Sequence, residues 1–312
     1  MDGVLNVHKT TGPTSHDVVD QIRRLFGQKK VGHAGTLDPM ATGVLVVCLG
    51  KATRVVEHLM ATRKEYRAGI TLGCSTDTQD STGAVIARSD ASNVTREAFE
   101  KAASGFVGRI EQVPPMVSAI KHQGKRLYKI AREGKTIERK PRKVDVYSIE
   151  VLAFEPGPRS EAEMLVECGS GTYIRALCAD IGSALGCGAY MSMLQRTKVG
   201  RFRIEDSVTP ARLAEAKAQG CLETSVIGIS DALNDLPAVS IGADDVGRVL
   251  HGMPVGISRE FGPSRQDVRW DRGECSDVRI LGPDGELIGL GAIASEHGKT
   301  LLRPRKVLAE VN

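Results

Sequence analysis

Apolar residues recur along this chain at two periods, and the two alternate without a strict strand–helix–strand rhythm. Val18, Ile22 and Leu25 fall at helical spacing after Ser15, which reads as an N-cap, and Gly27 closes the run. Residues 28–43, with several glycines and Pro39, read mainly as loop. Val44–Leu49 is an unbroken apolar run, the pattern of a buried strand. Val55, Val56, Leu59 and Met60 predict a short helix. Tyr66, Ala68, Ile70 and Leu72 alternate with Arg67, Gly69 and Thr71, a strand signal. Thr95 caps an expected helix that ends near Gly105. A short basic helix is expected over 126–133, and strands over 142–154 and 163–168. Ile174, Leu177, Ile181 and Leu185 mark one face of a helix starting near Thr172, and another helix covers 210–219.

Helices and strands mixed in this way predict an α+β fold with a large mixed or antiparallel sheet. After about residue 235 the pattern changes. Short apolar runs (Val278–Leu281, Leu287–Leu290, Leu301–Leu302, Val307–Leu308) are broken by Gly, Pro and Asp, and Pro283-Asp284-Gly285 reads as a hairpin turn. The expected division is 1–235 and a small β-rich unit over 236–312, which suits the length of 312 residues.

A net charge of +4 is too small to identify a nucleic-acid binder. Its distribution says more: residues 121–143 hold ten Lys or Arg against Glu133 and Glu138. Such a stretch is either a solvated face or a track for a phosphate backbone. The seven cysteines form no C-x-x-C pair, which suits a reduced cytoplasmic protein without disulfides or structural zinc. There is no secretory pattern at the start, and the longest apolar run is too short to span a bilayer.

Three segments carry candidate chemistry. In Gly32-His33-Ala34-Gly35-Thr36-Leu37-Asp38-Pro39, two glycines allow unusual backbone and Pro39 keeps Asp38 out of the helical region. A carboxylate is thus fixed beside a histidine, although on spacing alone Asp-Pro reads first as a helix cap with proline at the first helical position. In Lys64-Glu65-Tyr66-Arg67, Tyr66 is a core strand residue or a surface for stacking a base; just downstream, Asp77 and Asp80 lie in a polar turn. In Gly169-Ser170-Gly171-Thr172-Tyr173-Ile174-Arg175, an arginine in the first helical turn opposes the helix dipole and so calls for an acidic partner. The segment alone does not say which.

Taken in order, these segments resemble the TruB family of pseudouridine synthases over nearly the whole chain. Leu5-Asn6-Val7-His8-Lys9 with Gly12, the Gly32–Pro39 loop followed by Ala41-Thr42-Gly43, Lys64-Glu65-Tyr66, Gln112-Val113-Pro114-Pro115 with Ser118-Ala119, Leu127-Tyr128 and Ala131-Arg132, Cys168 to Arg175, Leu194-Gln195-Arg196 and Gly200-Arg201-Phe202 carry the likeness. The chain departs from the family pattern at Thr10, Val117 and Gln195. The resemblance implies a catalytic domain with an RNA-contacting insert at about 109–143, a PUA-like domain over 236–312, and isomerisation of uridine 55 in the tRNA T-arm. The expected reaction uses neither cofactor nor metal, and involves no membrane and no obligatory protein partner. Asp38 would be the nucleophile, Tyr66 would stack on the flipped uracil, and Arg175 would pair with Asp38. His33 would support the RNA, Tyr173 and Leu194 would line the uracil pocket, and Lys9 and Asp80 would be further members of the site. A guide-RNA-dependent synthase of the related archaeal and eukaryotic branch, and a non-catalytic RNA-binding module, are the alternatives.

Overall fold

The computed structural model describes residues 1–118, 120–135, 137–257, 274–296 and 299–309, with side chains except at 121, 122, 126, 128, 129, 132, 274–276, 295 and 296. β1 (Gly3–Lys9) lies antiparallel to β3 (Thr42–Leu49), Leu5 opposite Val47 and Lys9 opposite Gly43. The apolar run in β3 has a cause: both faces of the strand are covered. Leu45, Val47 and Leu49 share a core with Val18, Val19 and Ile22 of α1 (Ser15–Phe26). Val44, Val46 and Cys48 share another with Phe202, Ala232 and Leu290.

From β1 and β3 a nine-stranded mixed sheet extends through Ala189–Val199, β4 (Lys64–Leu72), Glu161–Cys168, Arg142–Glu155 and Gly108–Gln112. β2 (Val31–His33) pairs with β3, and Phe202–Arg203 with Ala189–Val199. Neighbours are antiparallel except where Ala189–Val199 meets β3, a short parallel contact that sets Gln195 opposite Thr42 and Arg196 opposite Gly43. The alternating residues of β4 do what their pattern predicts: Tyr66, Ala68, Ile70 and Leu72 join a core with Leu177 and Ile181 of the Ile174–Ala184 helix and Phe99 of the Arg96–Ser104 helix.

A five-stranded sheet follows, ordered Ala238–Ser240, Glu274–Leu281, Leu287–Glu296, Lys299–Val307 and Val255–Gly256. Its own core includes Val239, Val278, Ile288 and Leu302, with Val249 of the Ala243–Leu250 helix. It is tied to the first sheet's unit. Leu290 and Leu308 belong to the core of Val44, and Lys306 pairs with Glu57 on α2 (Val56–Ala61).

The sequence pattern and the structure differ in several places. Thr14, not Ser15, caps α1, because only Thr14 has an acid three residues on: Thr14 Oγ1 accepts from Asp17 N (3.1 Å), and Asp17 Oδ2 accepts from Thr14 N (2.8 Å), a reciprocal capping box. Ser15 instead turns inward to the 33–41 loop. Residues 31–33 of the expected loop form β2. The 172 helix begins at Ile174, after Tyr173. The strands β1, Gly108–Gln112 and Ala189–Val199 were not evident in the apolar pattern. Ala119 lies outside the described residues, as do the side chains of Lys121, Arg126, Tyr128, Lys129 and Arg132 in the basic stretch.

The capping box sets a measurable stability. Thr14→Ala should lower the unfolding free energy by about 1 kcal/mol in urea titrations, and Thr14→Asn should restore most of it. Equal midpoints for all three proteins would show that the box contributes nothing.

Candidate active site

The loop between β2 and β3 is held at almost every backbone group around Asp38. Arg196 donates from Nη2 to Gly35 O (3.1 Å) and from Nη1 to Thr36 O (3.5 Å). Ser15 Oγ bonds both Leu37 O (3.0 Å) and Leu37 N (2.8 Å). Lys9 Nζ donates to Pro39 O (3.2 Å) and Ala41 O (2.7 Å). Asp38 O accepts from Ala41 N (3.0 Å), closing a turn that leads directly into β3. No helix follows, so Asp38 is not an N-cap. Gly35 and Gly43, at the two ends of the bend, have φ of +107° and +101°, in the region only glycine occupies without strain.

The carboxylate projects from this loop onto Arg175, whose Nε lies 3.0 Å from Asp38 Oδ2. The Arg175 side chain is 4% exposed and that of Asp38 33%, so the guanidinium is sealed while the carboxylate stays accessible. Arg175 spends its other donors on Thr78 O (3.2 Å), Val117 O (2.7 Å) and a second carboxylate, Asp80 Oδ2 at 3.6 Å. Asp80 is in turn fixed by the turn around it: its Oδ1 accepts from Thr78 Oγ1 (2.7 Å), Thr82 N (3.0 Å) and Thr82 Oγ1 (2.6 Å). The acidic partner that an arginine in a first helical turn requires is therefore supplied twice.

Burial pushes the Asp38 carboxyl above its ordinary range; Arg175 pulls the other way and Asp80 adds to the rise. Burial likewise brings the Lys9 ammonium down to about 8, with Asp38 opposing the fall and Arg196 adding to it. Tyr66 stands on β4 with Leu37, Ile174 and Leu194 in the same apolar cluster. Burial raises its hydroxyl pKa and Arg196 lowers it. Tyr173 precedes the Ile174–Ala184 helix, its backbone clasped by the Gln112 amide: Tyr173 N donates to Oε1 (3.0 Å) and Nε2 donates to Tyr173 O (3.2 Å).

Asp38, Arg175, Asp80, Lys9, Tyr66 and Leu194 are thus brought together, and Tyr173 lies within electrostatic reach of Arg175 and Asp38. His33 ends β2 ahead of the loop. Arg196 was noticed in the sequence only as part of a motif, yet it is 1% exposed and spans the loop and the Tyr66 strand. Within the insert, Val117 and Gln112 reach the site, whereas Lys125 pairs with Glu133. A cleft of about 540 Å³ lies at the start of β4 near Arg63 and Lys198 rather than over Asp38. Among the described residues, no cluster of His, Cys, Asp and Glu has the makings of a metal site, and no helix is long and apolar enough to cross a membrane.

Residues 23–174 match the model of the TruB family pseudouridylate synthase N-terminal domain, and 175–235 that of the tRNA pseudouridylate synthase B C-terminal domain. The tRNA pseudouridine synthase B of Pelotomaculum thermopropionicum is 47% identical over 99% of this chain and 98% of its own length. That of Symbiobacterium thermophilum is 48% identical over 81% of this chain and 83% of its own. Among solved structures, a Cbf5–Nop10–Gar1 complex matches at a TM-score of 0.75 with 32% identity, over 98% of this chain and 85% of that one. An H/ACA ribonucleoprotein bound to a substrate RNA containing 2′-deoxyuridine matches at 0.74 with 30% identity, over 99% and 85%. With a site built from the same segments that carry the sequence likeness, the chain belongs to the TruB family of pseudouridylate synthases.

Proposed function

We propose that this protein converts uridine 55 in the T-arm of tRNA to pseudouridine, with Asp38 as nucleophile. The observation that carries the proposal is the accessible Asp38 carboxylate fixed 3.0 Å from a sealed Arg175. A base inside a folded RNA loop must be flipped out to reach it. Asp38 attacks the flipped nucleoside, and Arg175 keeps the carboxylate ionised and aimed. Asp80, from the far side, holds Arg175 in place. Tyr66 stacks on the uracil, with Leu194 and Tyr173 as pocket walls, and His33 supports the RNA. Lys9 anchors the loop rather than touching the base. The reaction is an isomerisation: one carbon–nitrogen bond is exchanged for a carbon–carbon bond, and the proton lost at carbon is balanced by one gained at nitrogen. It therefore needs no co-substrate. The tRNA reading is favoured over a guide-dependent one by the near full-length likeness to enzymes named for tRNA. The domain reading goes with it: residues 1–235 catalytic, with the insert at about 109–143 on the RNA, and 236–312 a PUA-like RNA-binding unit, in the cytoplasm and without an obligatory protein partner.

Asp38→Asn should abolish single-turnover pseudouridine formation at saturating enzyme while leaving filter binding of the same tRNA nearly unchanged, since the amide keeps the size and loses the nucleophilic charge. Near-normal turnover by this variant would sink the mechanism.

The pH dependence has a definite sign. Asp38 acts only when ionised, and burial raises its pKa, so the single-turnover rate should climb with pH along a limb centred above the ordinary aspartate value of about 3.9. Arg175→Gln removes the opposing pull and should move that limb to higher pH as well as slow the reaction. A limb that stays in place in the variant would mean that Arg175 does not govern Asp38.

Binding should weaken with salt, because the basic 121–143 stretch neutralises phosphates, and turnover should survive a chelator. Loss of turnover in chelator, restored by added metal, would refute the cofactor-free route.

A further inference from the structure

We infer that Arg196 is a positioning residue that couples the nucleophile loop to the Tyr66 strand and thereby sets the rate of the chemical step. The inference rests on the proposed function and adds a residue to it. Arg196 stands in the one row of the sheet where three parts of the site meet: it lies opposite Tyr66 of β4 on one side and opposite Gly43 of β3 on the other. Its Nε donates to Val44 O (2.7 Å), and its two terminal nitrogens reach Thr36 O and Gly35 O. Three carbonyls on both sides of the Asp38 bend therefore hang on one rigid fork, while the Tyr66 hydroxyl feels the same charge.

Two features argue against a filling role. The side chain is among the largest that are wholly buried, and none of the ion pairs among the described residues includes it. An isolated buried cation is costly, and an apolar side chain would fill the same space at less cost in desolvation. Neither Lys9 nor Lys64 relieves it: both are cations that burial, with Arg196 adding to it, drives toward the neutral form. The backbone is also built around it. A Cβ at Gly43 would sit 2.2 Å from Arg196 O, so the start of β3 is shaped to admit this strand and no side chain of its own. What the fork provides is preorganisation. Asp38 cannot shift without breaking bonds at 35 and 36, and those bonds are referred to Tyr66 through the strand that bears Arg196.

The test is a double-mutant cycle of Arg196→Lys, Tyr66→Phe and the pair, each read by the single-turnover rate at saturating enzyme, the tRNA Kd and the melting temperature. A lysine keeps the charge but gathers its donors on one nitrogen and loses the planar fork that holds Val44 O and Gly35 O from separate nitrogens. Arg196→Lys is expected to melt cooperatively, to bind tRNA as the wild type does and to lose about 100-fold in rate, the scale of a misplacement near 1 Å. The double variant should lose less than the product of the single losses, because the two residues act through one arrangement. Ser15→Ala, which releases Leu37 without touching a buried charge, should also lower rate and not affinity. If Arg196→Lys does not fold, Arg196→Met, which removes the buried charge, replaces it in the cycle. An unchanged rate, losses that multiply, a loss confined to Kd, or failure of both variants to fold would overturn the inference. Inactivity of the wild-type protein on tRNA would instead refute the proposed function.

Discussion

One sealed guanidinium, Arg175, sets the terms for the rest of this structure. It is buried at the start of a helix, where the dipole disfavours a cation, and it persists because two carboxylates and two carbonyls surround it. Those partners come from three parts of the chain: Asp38 from the β2–β3 loop, Asp80 and Thr78 from one turn beyond β4, Val117 from the insert. A charge that must be satisfied from three segments requires the sheet to bring them to one point. The asymmetry between the partners then separates their parts. Asp80 is as buried as the arginine and hydrogen-bonded on its far oxygen, so it is a fixed counter-ion. Asp38 is the more open of the two and keeps an oxygen to offer.

The same logic explains how a loop can serve as a rigid scaffold. Between Gly35 and Ala41 the backbone makes no regular ladder, yet its carbonyls are bonded by Arg196, Ser15 and Lys9, side chains from three elements. Two of those side chains are buried cations that repel one another, which the packing of β1 and the Ala189–Val199 strand holds in place. The order of the loop is paid for by tertiary structure rather than by local hydrogen bonding.

Much of this was legible in the sequence. The apolar run of β3, the alternation in β4 and the helical spacing of α1 and of Ile174–Ile181 follow from periodicity, and the fold class follows from their mixture. The Asp38, Tyr66 and Arg175 segments were legible as unusual, but their meeting was not. Asp38 and Arg175 are joined only by the sheet, and Asp-Pro by itself reads first as a cap. The Ala189–Val199 strand was hidden for a specific reason. Register shifts at Met191/Met193 and Arg196/Lys198 reset its alternation twice, so no period of two survives in the letters. Arg196 was lost with it, because an arginine beside Gln195 and Lys198 looks like solvent-facing charge. β1 was missed because both of its faces are covered and Asn6 and Lys9 are buried among its apolar residues. The shift of the α1 cap to Thr14 could have been read, since only Thr14 has an acid at the position a capping box needs.

The double burial of β3 bears on the order in which the molecule can be completed during synthesis. One face of the strand is covered in part by α1, encoded just before it, and in part by Leu213 and Leu222, so it is complete only once those residues have been made. The other face shares its core with Leu290 and Leu308, among the last described residues. Until residue 308 has left the ribosome, Val44, Val46 and Cys48 lack part of their cover, and the strand that follows the Asp38 loop has only one finished side. Assembly of the support for the Asp38 loop is therefore a late event set by sequence separation.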